Sequence, residues 1–291
     1  LSYDELALEH YPMTIWIFFA VLAPALVSLW GTELVRRYAL RTSMLDVPNQ
    51  RSSHTQPTPR GGGIAIVGAI VAMLAILAWA LPDDRPTTTG ILGGGLMVAA
   101  IGWLDDKFSL SARLRLVIQI VASIWLLTWL GGVGSFDWLN VNWSWPVAAV
   151  LAALFIVWST NMYNFMDGLD GFAGGQAVVA STAAAFLCLR ADDQLLAFTM
   201  LATSGAAAGF LVWNWPPAKI FMGDCGSGFL GFLFAAVALA AHTRGTFSLG
   251  SGLMLLLVFL ADATLTLLRR IAQREKWYEA HRSHAYQMAT R

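Results

Sequence analysis

Charge is scarce in this sequence. Asp, Glu, Lys and Arg together make up 12% of the residues, where a soluble domain carries about 25%. Too few ionic groups are present to cover a water-facing surface, so a soluble globular enzyme is excluded first. Cysteine is nearly absent: Cys188 and Cys225 form no C-x-x-C pair and lie in or beside apolar runs, which removes disulfide-framework and zinc readings. Net charge is absent too, with 18 basic against 18 acidic residues. A nucleic-acid partner therefore has no basic field to bind. No G-x-x-x-x-G-K-[ST] occurs, so a P-loop is unsupported. Internal repeats and low-complexity tracts are also missing.

What remains is apolar. Hydrophobic residues reach 57% and the mean hydropathy is +0.61. Nine runs are long enough to cross a bilayer: 13–35, 61–81, 88–104, 112–130, 146–163, 171–189, 195–213, 226–241 and 249–268. The expected fold is an all-α polytopic membrane helix bundle of about nine transmembrane helices, with residues 1–291 forming one integral membrane domain. The basic residues orient it. If the loop after the first span is cytoplasmic, only Arg85, Arg190 and Arg244 of the Lys and Arg residues lie outside. The positive-inside rule then puts the N-terminus outside and the C-terminal tail in the cytoplasm. The N-terminus has no basic n-region, so the first span reads as an anchor.

The inner side collects the unusual polar residues. Its loops read DVPNQRSSHTQPTPRGGG (46–63), WLDDKFSLSARLR (103–115), NMYNFMDGLDGFAGG (161–175) and NWPPAKIFMGDCGSG (214–228), and its tail contains HRSH (281–284). Asp105 and Asp106 are adjacent carboxylates at a span end, able to share a divalent cation or to divide metal and proton duties. Two other pairs, Asp83–Asp84 and Asp192–Asp193, fall in outer loops and read as ordinary solvated turns. Asn161, Asn164 and Asp167 recur every third residue, near one helix face, with Asp170 following. Asp224 sits among glycines at a helix start, where exposed N–H groups attract phosphate and the acid can hold a metal. His281 and His284 suit phosphate or sugar contact, since zinc would need two further ligands. His54 lies beside Arg51 and Arg60, a basic group matched to anionic partners. Asp262 lies within the last span, where a carboxylate is either a functional candidate or the partner of Arg269. Glu33 reads as reaching the interface. Gly93, Gly94 and Gly95 suggest close helix contact.

Carboxylates, cations, amides and glycine-rich helix starts on one face form an inventory for phosphoryl transfer. A secondary transporter would instead place its acids near the bilayer midplane, with repeat symmetry.

In this order and on this face, the five motifs resemble the polyprenyl-phosphate N-acetylhexosamine-1-phosphate transferases, over residues 46 to 287. The resemblance implies transfer of a sugar-1-phosphate from a UDP-sugar to undecaprenyl phosphate or a related lipid, with release of UMP. Mg²⁺ is the implied cofactor, with Mn²⁺ as a substitute. It implies Asp224 and Asp167 as metal ligands, and Asp105, Asp106, Asp167 and Asp170 as catalytic. Asn161, Asn164, His281, His284, Lys107, Arg115, His54 and Arg60 are implied as substrate contacts. The tail is closer to enzymes that initiate O-antigen-type lipopolysaccharide glycans, using UDP-GlcNAc or a deoxy-N-acetylhexosamine, than to the peptidoglycan translocase, which carries a denser His run. A bacterial inner-membrane location with a cytoplasm-facing site follows, and a homodimer stays open. The expected mechanism is a single displacement by the lipid phosphate, with a covalent aspartyl step as the rival. The family usually adds another membrane helix after the tail motif, so a truncated member is expected.

Overall fold

The structure is a computed structural model, and it describes residues 13–48, 56–132, 137–138, 141–142 and 144–273. His54, His281 and His284 fall outside the described residues. Ten helices follow in order: α1 (Met13–Arg41), α2 (Gly63–Ala80), α3 (Arg85–Phe108), α4 (Ala112–Trp129), α5 (Trp145–Met166), α6 (Phe172–Arg190), α7 (Gln194–Asn214), α8 (Gly223–Arg244), α9 (Leu249–Leu255) and α10 (Leu257–Ala272). A one-turn 3-10 helix (Pro82–Asp84) precedes α3, and two short antiparallel pairs complete the described elements: β1 (Leu45–Asp46) with β2 (Thr58–Pro59), and β3 (Asp137–Trp138) with β4 (Val141–Asn142). Among the described residues, eight helices are long and apolar enough to span a membrane. The ninth run is not one straight helix: α9 and α10 meet at an 81° bend.

The bundle is a polytopic membrane fold built around α8. This helix is hydrophobic nearly all round and buried along almost its whole length, as a central element must be. It packs against α2, α3 and α5, while α7 joins α1 and α6 to the bundle. Small residues permit the close crossings. A Cβ on Gly63 would lie 2.3 Å from the Gly226 backbone, and Cβ atoms on Gly205 and Gly209 would each lie 2.1 Å from an α1 carbonyl oxygen. The spacing of Gly205 and Gly209 is the small-xxx-small pattern of membrane helix pairs. Gly94 and Gly95 receive Phe232 and Phe229 of α8, and Gly93 receives Trp125 of α4, as their cluster suggests. The outer surface carries exposed Trp30, Trp79, Val179 and Leu265 on helices. That much apolar surface matches lipid rather than water.

Several helices outrun their apolar stretches, and the extra turns carry the polar residues. α1 continues to Arg41 because Glu33 binds Arg36 and Arg37, both at 2.7 Å, within one helical turn. Glu33 is thus a buried ion-pair centre rather than a group reaching the interface. α3 runs through Asp105 and Asp106 to Ser109, whose left-handed backbone ends it. α8 starts at Gly223, so Asp224 lies in its first turn and not in a preceding loop.

At the end of the bundle away from these acids, the pairs Asp83–Asp84 and Asp192–Asp193 depart from expectation. Asp83 and Asp192 are exposed, but their neighbours are not free carboxylates. Arg244 at the end of α8 binds Asp193 at 2.7 Å and Asp84 at 2.7 Å. Asp193 also accepts from Thr246 Oγ1 and caps α7 through Leu196 N–H. One guanidinium therefore ties together the ends of α3, α7 and α8. Arg244→Met is expected to cost about 2 kcal/mol of stability, the scale of a charged hydrogen-bond cluster. The measurement is thermal unfolding in detergent, with turnover per folded molecule unchanged.

Candidate active site

The site is assembled where the first and fourth inner loops meet. Phe221 N–H donates to the Pro59 carbonyl at 2.8 Å, and Gly62 and Gly63 N–H donate to the carbonyls of Phe221 and Met222, each at 2.9 Å. This short backbone splice sets Arg60 beside the start of α8. β1 and β2 hold the other side of the same loop.

Asp106 makes the next connection. Its two oxygens accept the Asp224 and Cys225 N–H groups at 3.1 and 3.2 Å. These are orphan donors of the first α8 turn, and a carboxylate there also meets the positive end of the helix dipole. The N–H groups expected to receive phosphate are therefore already taken. Gly223, at φ +79°, lets the chain turn over this carboxylate, and a Cβ there would lie 2.6 Å from Asp106 Oδ2. Arg60 completes the arrangement. Its guanidinium donates to the Asp106 carbonyl, and its Nε lies 4.0 Å from the carboxylate.

Asp105 and Asp106 are neighbours in sequence but serve different contacts. Asp105 accepts Leu110 N–H at 2.6 Å and pairs with Arg115 Nη1. The same Arg115 nitrogen lies 3.2 Å from Asp224 Oδ2. Asn164 Nδ2 donates to the other Asp224 oxygen at 2.9 Å and to Ser227 Oγ at 2.9 Å. Asp224 is thus oriented by an arginine from α4 and an amide from α5.

Asp167 lies just past the end of α5, in the turn before α6. Burial, then the nearby charges of Asp224 and Asp106, pushes its carboxyl well above the usual carboxylate range, while the Gly223 N–H acts in the other direction. Four carboxylates, Asp105, Asp106, Asp167 and Asp224, therefore share this end with the guanidinium groups of Arg60 and Arg115. The donors are hard oxygens, and their crowding, which pushes the Asp167 carboxyl up, is the kind of strain a small divalent cation would relieve. Among the described residues no group of three or more His, Cys, Asp or Glu side chains forms a ready-made metal cage. Mg²⁺ does not require one, since it takes one or two carboxylates and fills its shell with water and phosphate oxygens.

The other expected residues are placed as follows. Asp170 accepts Ala218 N–H at 2.8 Å and so holds the loop before α8. Asn161 is on α5 with Asn164, but its amide meets Gln119 of α4. The two amides share the face of α5 turned toward α4, but only Asn164 reaches Asp224, and Asn161 meets Gln119 one turn away. Lys107 is exposed, with its ammonium 5.4 Å from the Trp103 ring and 5.2 Å from the Phe108 ring. With Arg60, Asp106, Tyr38 and Ser43 it lines a cleft of about 340 Å³. Asp262 receives the Thr266 hydroxyl at 3.2 Å.

Sequence reading missed Gln119, Ser227 and Asn214. Asn214 accepts Gly171 N–H and donates to the Ile220 carbonyl, joining two inner loops. Gln119 had a signal: it is an amide inside an apolar span, where such groups need a partner.

Comparison with known proteins agrees with the geometry. Residues 88–242 match the family model described as Glycosyl transferase family 4. The chain is 32% identical over 279 residues to a "Probable undecaprenyl-phosphate N-acetylglucosaminyl 1-phosphate transferase" of Bacillus subtilis, covering 93% of this chain and 76% of that protein. It is 32% identical over 286 residues to a "Decaprenyl-phosphate N-acetylglucosaminephosphotransferase" of Mycolicibacterium smegmatis, covering 86% and 69%. It is 35% identical over 253 residues to a "Phospho-N-acetylmuramoyl-pentapeptide-transferase" of Thermosynechococcus vestitus, covering 79% and 65%. The four clustered carboxylates all lie within the matched segment, and with the family match and these relatives the chain belongs to glycosyl transferase family 4, the polyprenyl-phosphate N-acetylhexosamine-1-phosphate transferases.

Proposed function

We propose that the protein transfers N-acetylglucosamine-1-phosphate from UDP-GlcNAc to undecaprenyl phosphate, releasing UMP and starting a lipid-linked glycan. The reaction takes place at the cytoplasmic face of a bacterial inner membrane and depends on Mg²⁺. The observation that carries this reading is Asp224, held by Arg115 and Asn164 in the first turn of α8 with three further carboxylates around it. The distribution of Lys and Arg supports the cytoplasmic orientation. Several relatives named for N-acetylglucosamine transfer support the choice of sugar.

Asp224 and Asp167 would hold the metal. The chemistry a bound Mg²⁺ supplies is neutralisation of charge on the pyrophosphate oxygens and on the departing UMP. The chain's own residues do the rest. Arg115 offsets charge between Asp105 and Asp224 and keeps both carboxylates oriented. Arg60 and Lys107 face the neighbouring cleft as cations for an anionic substrate. The lipid phosphate is the nucleophile and attacks the β-phosphorus of the donor. A phosphate monoester has its second pKa near about 6 and is mostly dianionic at neutral pH. No strong general base is then required, and Asp105 acts mainly by positioning the lipid phosphate through Arg115.

The test is UMP release from purified protein in lipid nanodiscs. Release is expected with UDP-GlcNAc only when polyprenyl phosphate and Mg²⁺ are both present, and EDTA should abolish it. Release without lipid acceptor, or full rate in EDTA, would contradict the reading. Replacing the donor with UDP-MurNAc-pentapeptide separates the peptidoglycan alternative. A phospho-aspartyl adduct trapped without lipid would establish the covalent route instead.

A further inference from the structure

We infer that Gln119, in the middle of α4, is a positioning residue for the metal-binding carboxylate Asp224; the inference rests on the proposed function above. Gln119 is 7% exposed and exchanges two amide hydrogen bonds with Asn161 of α5. Asn161 Nδ2 donates to Gln119 Oε1 at 2.6 Å, and Gln119 Nε2 donates to Asn161 Oδ1 at 3.3 Å. Asn161 Nδ2 also donates to the Val157 carbonyl at 2.8 Å, which holds the amide plane.

The spacing makes this pair more than a local contact. Arg115 precedes Gln119 by four residues on α4, and Asn164 follows Asn161 by three on α5, so each pair shares one helix face. Arg115 and Asn164 are the two groups that grip the opposite oxygens of Asp224. α4 and α5 are therefore joined twice, once by the amide pair and once through Asp224. An apolar pair would pack these helices in several registers. A buried amide pair is satisfied in only one, because a slip leaves polar atoms unpaired in apolar surroundings. The pair fixes the register in which Arg115 and Asn164 reach the same carboxylate.

The test compares wild type, Gln119→Leu, Gln119→Asn and the swap Gln119→Asn/Asn161→Gln in nanodiscs. Three quantities are measured: Mn²⁺ binding by electron paramagnetic resonance without substrates, kcat and KM for UMP release, and the unfolding midpoint. Gln119→Leu is expected to weaken Mn²⁺ binding about tenfold and to lower kcat by about the same factor, the scale of lost outer-shell support. KM for polyprenyl phosphate should stay within twofold, and the unfolding midpoint should fall by a few degrees in Gln119→Leu while the protein stays folded at the assay temperature. The swap restores a complementary amide pair and should recover Mn²⁺ affinity and kcat at least fivefold over Gln119→Asn. Wild-type Mn²⁺ affinity in Gln119→Leu, or a loss that tracks only the folded fraction, would overturn the inference, as would a wild type that binds no Mn²⁺. A wild type that binds Mn²⁺ but releases no UMP overturns the proposed function alone, and the positioning role is then decided by the binding data.

Discussion

Asp224→Asn is expected to reduce UMP release by on the order of 10²–10³-fold, the loss typical of removing one preorganised electrostatic partner, while the protein remains folded. The substitution keeps the shape of the side chain, and one amide oxygen can still accept from Asn164 Nδ2, now 2.9 Å away. It removes one negative charge from a group of four carboxylates at this end of the bundle. Arg115 keeps its partner in Asp105. The unfolding midpoint should therefore be unchanged or raised, with activity and stability moving in opposite directions. The measurement pairs initial rates of UMP release with thermal unfolding of the same preparation. Turnover within a few fold of wild type would remove Asp224 from the metal role.

Asp106→Ala is expected to behave differently and to lose stability and activity together. Asp106 is 3% exposed, and its carboxylate satisfies the Asp224 and Cys225 N–H groups while facing Arg60. Alanine would leave two donors of the first α8 turn without their acceptor and remove the carboxylate facing Arg60, whose hydrogen bond to the main-chain carbonyl remains, costing about 2–4 kcal/mol on the scale of unsatisfied buried donors. The first turn of α8 carries Asp224, so loosening that turn also displaces the metal ligand. Asp106→Asn retains an acceptor oxygen toward α8 and should keep the fold and part of the turnover. Unfolding in detergent and UMP release on all three proteins check this. Equal behaviour of Asp106→Ala and Asp106→Asn would show that the carboxylate does not cap α8.

Much of this protein is legible before any coordinates. A bilayer demands about 20 apolar residues per crossing, so spans declare themselves as long runs, and eight of the nine appear as continuous helices. Positive charges mark one side through a separate bias, the retention of Lys and Arg in loops that are not translocated. The described motif residues Asp105, Asp106, Asn164, Asp167 and Asp224 gather at one end because each sits at the same-side end of its spanning helix. Less legible were the helix ends. Polar residues do not stop a helix when the next turn satisfies them, as Glu33 does with Arg36 and Arg37. The bend between α9 and α10 was also hidden, since an apolar run reads the same whether straight or broken.

What the amino-acid sequence determined by itself was the class: a membrane bundle with its motif acids and amides on one side, in the order of a known transferase family. Only the tertiary structure decided which of those groups touch. Asp105 and Asp106 are indistinguishable as a dipeptide, yet one pairs with Arg115 and the other caps α8. Asp84 and Asp193 look like solvated turns until Arg244, 160 and 51 residues away in sequence, is brought between them. Hydrophobic patterning is a local property that each segment carries alone. A hydrogen bond between side chains depends on the approach of two helices to within a few ångströms, and that is settled by how glycines and large residues interlock across the bundle.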